Sequence, residues 1–397
     1  MNTTAALDGI RVLDLTRVLA GPFATMLLSD LGADVLKVEL PGVGDDARHF
    51  GPFRNKRSLY FLSINRGKRS MTLNLKTDGG KEILRRLVAE HDVLVENFRP
   101  GVMEKLGLGY EQLRELNPRL IYAASSGYGH SGPDSTRPAY DILAQAAGGL
   151  MSVTGWPGQP PTRVGCSIGD ISAALFTTIG ILAALNQRHS TGEGQKVDVA
   201  MLDCQVAILE NALARYQVDG SSPEPLGNRH PTITPFQAFR ASDDWIVVAM
   251  GNDAIWQRFC AAAGRNDLAA DGRFGTNPDR TANIEELNAQ LEPLFARRSV
   301  AEWSGILSEA GVPHSRINSI EQVMQDRQVQ ARKMIATVQD RLAGTVRVAG
   351  NPIKLSAMED STSRPPIPEL GEHTAAVLAA LGYDAERVAE LRAAGVI

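Results

Sequence analysis

Cysteine is nearly missing from this chain. Cys166, Cys204 and Cys260 are the only three in 397 residues, and without a CxxC pair they exclude a disulfide framework and a zinc knuckle. Nor is one charge sign in excess. The chain sets 41 Lys and Arg against 45 Asp and Glu, a net charge of -4, which removes the basic balance of a dedicated nucleic-acid binder. The seven histidines form no HxH, HExxH or Cys/His cluster, so no metal site is expected. Long hydrophobic runs are scarce too. The longest, Ile171 to Leu185, is broken by Ser172, Thr177, Thr178 and Gly180 and falls short of the roughly 20 residues that span a bilayer. The opening MNTTAALDGIRVLDL carries no basic leader and reads as a strand, so no export, no membrane and a reducing cytoplasm are expected.

What is present is an ordinary globular balance, 43% hydrophobic and 22% charged, in a chain long enough for one large core and an attached smaller unit. GIRVLDLT, AGPFATMLLSDLGA and DVLKVEL read as strand, helix and strand, the helix closed by Gly32. The cycle repeats through RSMTLNL, a helix around Gly80 to Glu90, DVLVENF, a helix near Met103 to Leu116, and LIYAASSG. A long helix follows from about Ile171. This alternation predicts an α/β fold with a mostly parallel sheet covered on both faces. The composition shifts around Ser221 to Pro235, after which FQAFRASDDWIVVAM reads as two strands about an Asp-Asp turn. The expected organisation is a large Rossmann-like domain over residues 1–200, a linker helix over 201–225, a smaller α+β domain over 226–330, and a return to the large domain over 331–397.

Three short patterns offer chemistry that their surroundings do not support. Gly127 to Gly132 matches GxGxxG after a strand, but Pro133 and Pro138 follow, so no helix opens to receive a pyrophosphate. Glu39 ends a strand as a ribose-binding acid does, yet the turn Arg17 to Pro22 lacks the glycines of a dinucleotide fold. Gly165 to Gly169 matches GxSxG and makes Ser167 a candidate hydrolase nucleophile, although the residues before it make a poor strand. Cys166 is read as a small buried residue at a helix start.

Asp170 lies where a glycine turn meets the longest helix. It reads as an N-cap satisfying free N–H groups. The same donors and the positive helix terminus suit an ionised carboxylate nucleophile.

Several segments together resemble the family III CoA-transferases. They include LDGIRVLDLTRVLAGPFATMLLSDLGADVLKVE (7–39), SLYFLSINRGKRSMTLNLKT (58–77), VENFRPGVMEKLGLGY (95–110), AYDILAQAAGGLMSVTG (139–155), GCSIGDISAAL (165–175) and TGEGQKVDVAMLD (191–203). LGNRHP (226–231), AGVPHSRINS (310–319) and LGEHT (370–374) continue it almost to the C-terminus. The resemblance implies an acyl-CoA:carboxylate CoA-transferase in which Asp170 is the nucleophile, coenzyme A enters as substrate rather than as a permanent cofactor, and the partners are an acyl-CoA and a small carboxylic acid. It further implies Val18, Leu19 and Ala20 along the pantetheine, Leu73, Asn74, Leu75 and Lys76 beside the adenine, and Asn97, Phe98, Arg99 and Lys105 near the phosphates. Tyr60 and Tyr140 match aromatic positions at the acyl site, and Arg48, Arg229 and His230 are polar candidates for the acid. Leu19 replaces the glutamine of the formyl-CoA:oxalate branch, and the tetraglycine lid of that branch is absent. The text is most similar to the acetyl-CoA:oxalate and succinyl-CoA:glutarate branches, which favours a dicarboxylate. An interlocked homodimer is also implied. A Ser167 thioesterase and a 2-methylacyl-CoA racemase remain the alternatives.

Overall fold

Runs such as RVLD and DVLKVE are apolar on both faces, which suits strands covered on both sides. They form β1 (Arg11–Asp14) and β2 (Asp34–Glu39), joined by α1 (Ala20–Asp30), in a computed structural model that describes residues 5–397. β3 (Arg69–Thr72), β4 (Val93–Glu96) and β5 (Ile121–Ser126) follow, then α2 (Asp141–Ala147), α3 (Ile168–Thr191) and β6 (Lys196–Ala200). All six strands are parallel, in the order β3-β2-β1-β4-β5-β6.

Alternation along each strand sorts the core. Val12, Val35 and Val93 face α1 and the Ile181, Ala184 and Leu185 side of α3. Leu13, Leu36 and Leu94 face the opposite way, under Ile83, Leu84 and Leu87 and the closing helices through Leu378 and Leu391. By length and composition α3 is apolar enough to cross a bilayer, but 50% of its apolar window is buried, as in a core helix.

Two departures from the sequence reading have local causes. Gly107, at φ +69, and Gly109 divide the expected Met103–Leu116 helix into Val102–Lys105 and Tyr110–Leu116. β6 escapes notice because it is the edge strand, half covered along most of its length, and KVDVA alternates instead of forming a solid apolar run. Ile335–Asp340 and Gly344–Ala349 pair antiparallel as a separate hairpin.

The first unit contains residues up to Leu150, Val164–Leu213 and Arg327–Ile397; the second contains Met151–Arg163 and Ala214–Asp326. In the second, Phe236–Arg240 and Trp245–Ala249 pair antiparallel about the Asp-Asp turn, with His314–Arg316 alongside. Its core is aromatic: Phe239 stacks on Phe295 at 4.6 Å, and Trp256, Phe259 and Trp303 close around them.

Strand order reverses between β1 and β4, so the loops leaving their carboxyl ends diverge and open a crevice. Below it lie four fully buried charges. Lys68 Nζ sits 2.9 Å from Asp14 Oδ2, and Lys37 Nζ lies 2.8 Å from Asp45 Oδ2. Burial opposes ionisation of Asp14, but the Lys37 and Lys68 ammoniums outweigh it and hold the carboxyl far below its ordinary range. Asp14→Ala leaves both ammoniums buried with less counter-charge, which costs about 3–5 kcal/mol. Urea unfolding of the variant is expected at a clearly lower midpoint; an unmoved midpoint would contradict this account of the network.

Candidate active site

The crevice holds two cavities in the first unit, of about 360 Å³ and about 590 Å³, which share Arg17, Phe98 and Val102 on their walls. The smaller is walled by the ends of β1, β2 and β3, including Leu73, Asn74, Leu75 and Lys76. The larger collects Val18, Leu19, Ala20, Asn97, Phe98, Arg99, Tyr140 and Asp170. Residues far apart in sequence meet because every one of these loops leaves the same edge of the parallel sheet.

The loop after β1 is held from beneath. Val18 adopts φ 69, a conformation costly for a β-branched residue, and its N–H donates to Asp45 Oδ1 at 3.0 Å. Lys37 Nζ donates to the Thr16 carbonyl at 2.7 Å, while Thr16 itself donates to Asp14 through its N–H at 2.9 Å. A Cβ on Gly21 would come within 2.3 Å of the Thr16 side chain, so only glycine allows the loop to turn this tightly into α1. Asn97 closes the other side with reciprocal 2.8 Å bonds to the backbone of Arg17.

Asp170 is the third residue of α3 rather than its cap. Ser167 occupies the cap position without a side-chain capping bond, and the helix begins at Ile168. The free Gly169 N–H of the first turn is taken by Asp141 Oδ1 from α2 at 2.8 Å. Burial, then the charge of Asp141, pushes the Asp170 carboxyl up to about 7. The expectation of a carboxylate kept ionised by the helix terminus is thereby corrected: desolvation and a like charge prevail. Near neutral pH the group is close to half ionised, which leaves it able to act as a nucleophile while retaining basicity. Tyr60 is pushed up to about 12 by burial and then by the charges of Asp170, Asp45 and Asp141.

Arg48 does not face either cavity. Its guanidinium forks onto Glu39, with Nε 2.7 Å from Oε2 and a terminal nitrogen 2.7 Å from Oε1, and lies 4.0 Å from the centre of the Phe61 ring. The candidate acid ligand is thus engaged in holding β2 to the segment after it, and Glu39, which also accepts from Ser70, has no carboxylate oxygen left for a ribose. Lys105 is exposed on its short helix and borders neither cavity. Arg229 and His230 belong to the second unit, where Arg229 approaches Glu285 at 3.9 Å and His230 Nδ1 accepts from the Thr232 and Ile233 N–H groups. Ser167 borders neither cavity, and no strand precedes it to form a nucleophile elbow. Cys166 is exposed rather than buried, because the segment before α3 is an open loop.

Sequence reasoning missed Arg17, Ser125 and Arg137. Arg17 and Arg137 reach the walls from loops whose charges read as ordinary surface. Ser125, the residue before the last of β5, borders the larger cavity, is 3% exposed, and its Oγ has no hydrogen-bond partner among the described residues. The pair of serines ending an apolar strand was the available signal.

A carboxyl whose value rises from 3.8 unfolded to about 7 folded favours the fold fully below pH 3.8, and that advantage disappears as pH rises through 7. Asp170→Asn is therefore expected to stabilise the protein at pH 8, by on the order of 2 kcal/mol, and to change little at pH 4. Urea unfolding at both pH values measures it; equal effects would contradict the burial argument.

Comparison with known proteins agrees with the cleft. The model of CoA-transferase family III matches residues 7–374. The chain is 44% identical to an acetyl-CoA:oxalate CoA-transferase of Acetobacter aceti, over 93% of this chain and 94% of that protein. It is 39% identical to the succinyl-CoA:glutarate CoA-transferase of Homo sapiens, over 100% of this chain and 91% of that one. The crystal structure of a CAIB/BAIF family protein from Brucella suis superposes with a TM-score of 0.83 at 40% identity, covering 95% of this chain and 100% of that one. A parallel-sheet cleft with a half-buried aspartate on its wall and a match over nearly the whole length lead to one conclusion: this chain belongs to CoA-transferase family III and is a CoA-transferase.

Proposed function

We propose that the enzyme moves CoA from an acyl-CoA to a small dicarboxylate, of the oxalate or glutarate kind used by the relatives, with Asp170 as the covalent carrier. The observation that carries this reading is the position of the Asp170 carboxyl, pushed up to about 7, on the wall of the larger cavity. Leu73 to Lys76 would receive the adenine, Arg17, Asn97 and Arg99 the phosphates, and Val18 to Ala20 the pantetheine, so that the thioester reaches Asp170. Arg137, exposed beside Tyr140, offers a guanidinium to the second carboxylate of the acceptor.

The Asp170 carboxylate attacks the thioester carbonyl, and the C–S bond breaks to give a mixed anhydride and a CoA thiolate. The thiolate attacks the aspartyl carbonyl of the anhydride, releasing the donor acid and leaving an aspartyl-CoA thioester. The acceptor carboxylate displaces the thiolate from that thioester, forming a second anhydride. Attack of the thiolate on the acceptor carbonyl then yields the new acyl-CoA and restores Asp170. Water must be kept from each intermediate, and the buried Leu19, Ala20 and Met201 on the same cavity wall serve that end.

Exchange between acetyl-CoA or succinyl-CoA and oxalate, glutarate, succinate, malate and citramalate, followed by mass spectrometry, tests the reading. Asp170→Asn is expected to lose exchange by about 10³-fold or more while still binding CoA, and Ser167→Ala to keep it. Below substrate saturation, wild-type exchange should rise with pH through about 7 as Asp170 ionises. Release of CoA without an acceptor would favour the Ser167 hydrolase, and deuterium uptake at the α-carbon of a 2-methylacyl-CoA the racemase. The active form is further read as a homodimer, supported by the exposed Leu175, Phe176 and Ile179 on the apolar α3. Sedimentation should show no folded, active monomer on dilution; finding one would overturn the dimer.

A further inference from the structure

The turn that carries Asn97, Phe98 and Arg99 begins at a buried acid with no part in the chemistry above. Glu96 ends β4, is 1% exposed, and accepts the Phe98 N–H through Oε2 at 2.7 Å. Its other oxygen accepts from the Tyr122 hydroxyl at 3.2 Å and faces His130 Nε2 at 3.7 Å. His130 comes from the glycine loop after β5, where its N–H donates to Asp198 at 3.0 Å. Its Nδ1 lies 3.1 Å from Lys196 Nζ. An ammonium can only donate, so Nδ1 accepts and the neutral ring carries its proton on Nε2, toward Glu96. The Nε2 atom has no hydrogen-bond partner among the described residues. Lys196 on β6 thus holds His130 with Nε2 turned to Glu96 at 3.7 Å, short of a hydrogen bond, and Glu96 in turn holds the backbone of Phe98, which borders both cavities.

We propose that Glu96 is a positioning residue for CoA binding: its carboxylate, through the Phe98 N–H, holds Asn97 to Arg99 in the shape that grips acyl-CoA, and its protonation loosens that grip. This rests on the reading of the cleft as the CoA site. Every charged or titratable neighbour enters the balance. Glu104, on the helix Val102–Lys105, disfavours the carboxylate; Lys196 favours it, and the hydrogen bonds from Phe98 and Tyr122 favour it too. Burial is the largest influence and pushes the acid up to about 7, so the change falls inside the working range. His130 is pushed down by burial and by Lys196, with Asp198 and Glu104 opposing. The positive charge that favours the Glu96 carboxylate is that of Lys196.

The test is the Kd of CoA for the full-length enzyme, measured by calorimetry between pH 6 and pH 8 and expressed as the ratio of Glu96→Gln to wild type. The ratio cancels the titration of the CoA phosphate itself. It should be about tenfold at pH 8, the value of one lost charge-assisted bond, and fall toward one at pH 6, where wild-type Glu96 is also neutral. A constant ratio, whether one or larger, overturns the proposal, because a merely structural residue would not produce the pH dependence. Lys196→Met provides a second route if Glu96→Gln does not fold: removing that charge should move the midpoint of the wild-type Kd profile to higher pH, and an unmoved midpoint overturns the proposal. Phe98→Ala separates the two levels. If it leaves CoA affinity at pH 8 unchanged, the CoA reading of the cleft falls and the proposal with it; if it weakens binding while the Glu96→Gln ratio stays flat, only the proposal falls.

Discussion

Two ion pairs taken out of water, Lys68 with Asp14 and Lys37 with Asp45, determine the shape of the cleft. Such pairs add little net stability, because desolvation consumes most of their attraction. Their effect is geometric. Asp14 binds the Thr16 backbone and the Thr25 hydroxyl, Lys37 binds the Thr16 carbonyl, and Asp45 binds Val18. The loop after β1 is thus fixed by its own backbone groups, including one residue in a strained conformation. The side chains of Val18, Leu19 and Ala20 are left to wall the larger cavity.

The site at the other side of the cavity follows a different logic. Asp170 would be an ordinary surface-like carboxylate if the first turn of α3 pointed its free N–H groups at it. Asp141 takes the Gly169 donor instead, and its charge adds to the desolvation of Asp170. A carboxylate raised in this way is a better nucleophile and, by the same basicity, a poorer leaving group. The same energetic tension appears at Glu96, where burial raises an acid whose hydrogen bond shapes the neighbouring turn.

Much of this was legible in the sequence. Alternating strand and helix patterns from Arg11 to Ser126 gave the parallel sheet, and the ordered family blocks brought Leu73 to Lys76, Asn97 to Arg99 and Asp170 to one cleft. What escaped was pairing across the fold. Arg48 looked free because its partner Glu39 becomes a partner only when β2 and the following turn meet. Asp170 looked like a cap because local text cannot show that Asp141, on another helix, already satisfies the donor. Ser125 and Arg17 look ordinary until the sheet edge gathers their loops. Lys105 was implied by position against the family, and its exposed place at the end of the helix Val102–Lys105 leaves it off both cavity walls. β6 was hidden by its half-exposed edge, which blurs the apolar run expected of a buried strand.

The central claim is that one aspartate carries acyl groups between two acids. Rapid mixing with an acyl-CoA, trapping with hydroxylamine and peptide mass spectrometry examines it directly. The account predicts a hydroxamate confined to Asp170, formed only when acyl-CoA is present. Turnover that proceeds while Asp170 stays unmodified would contradict it.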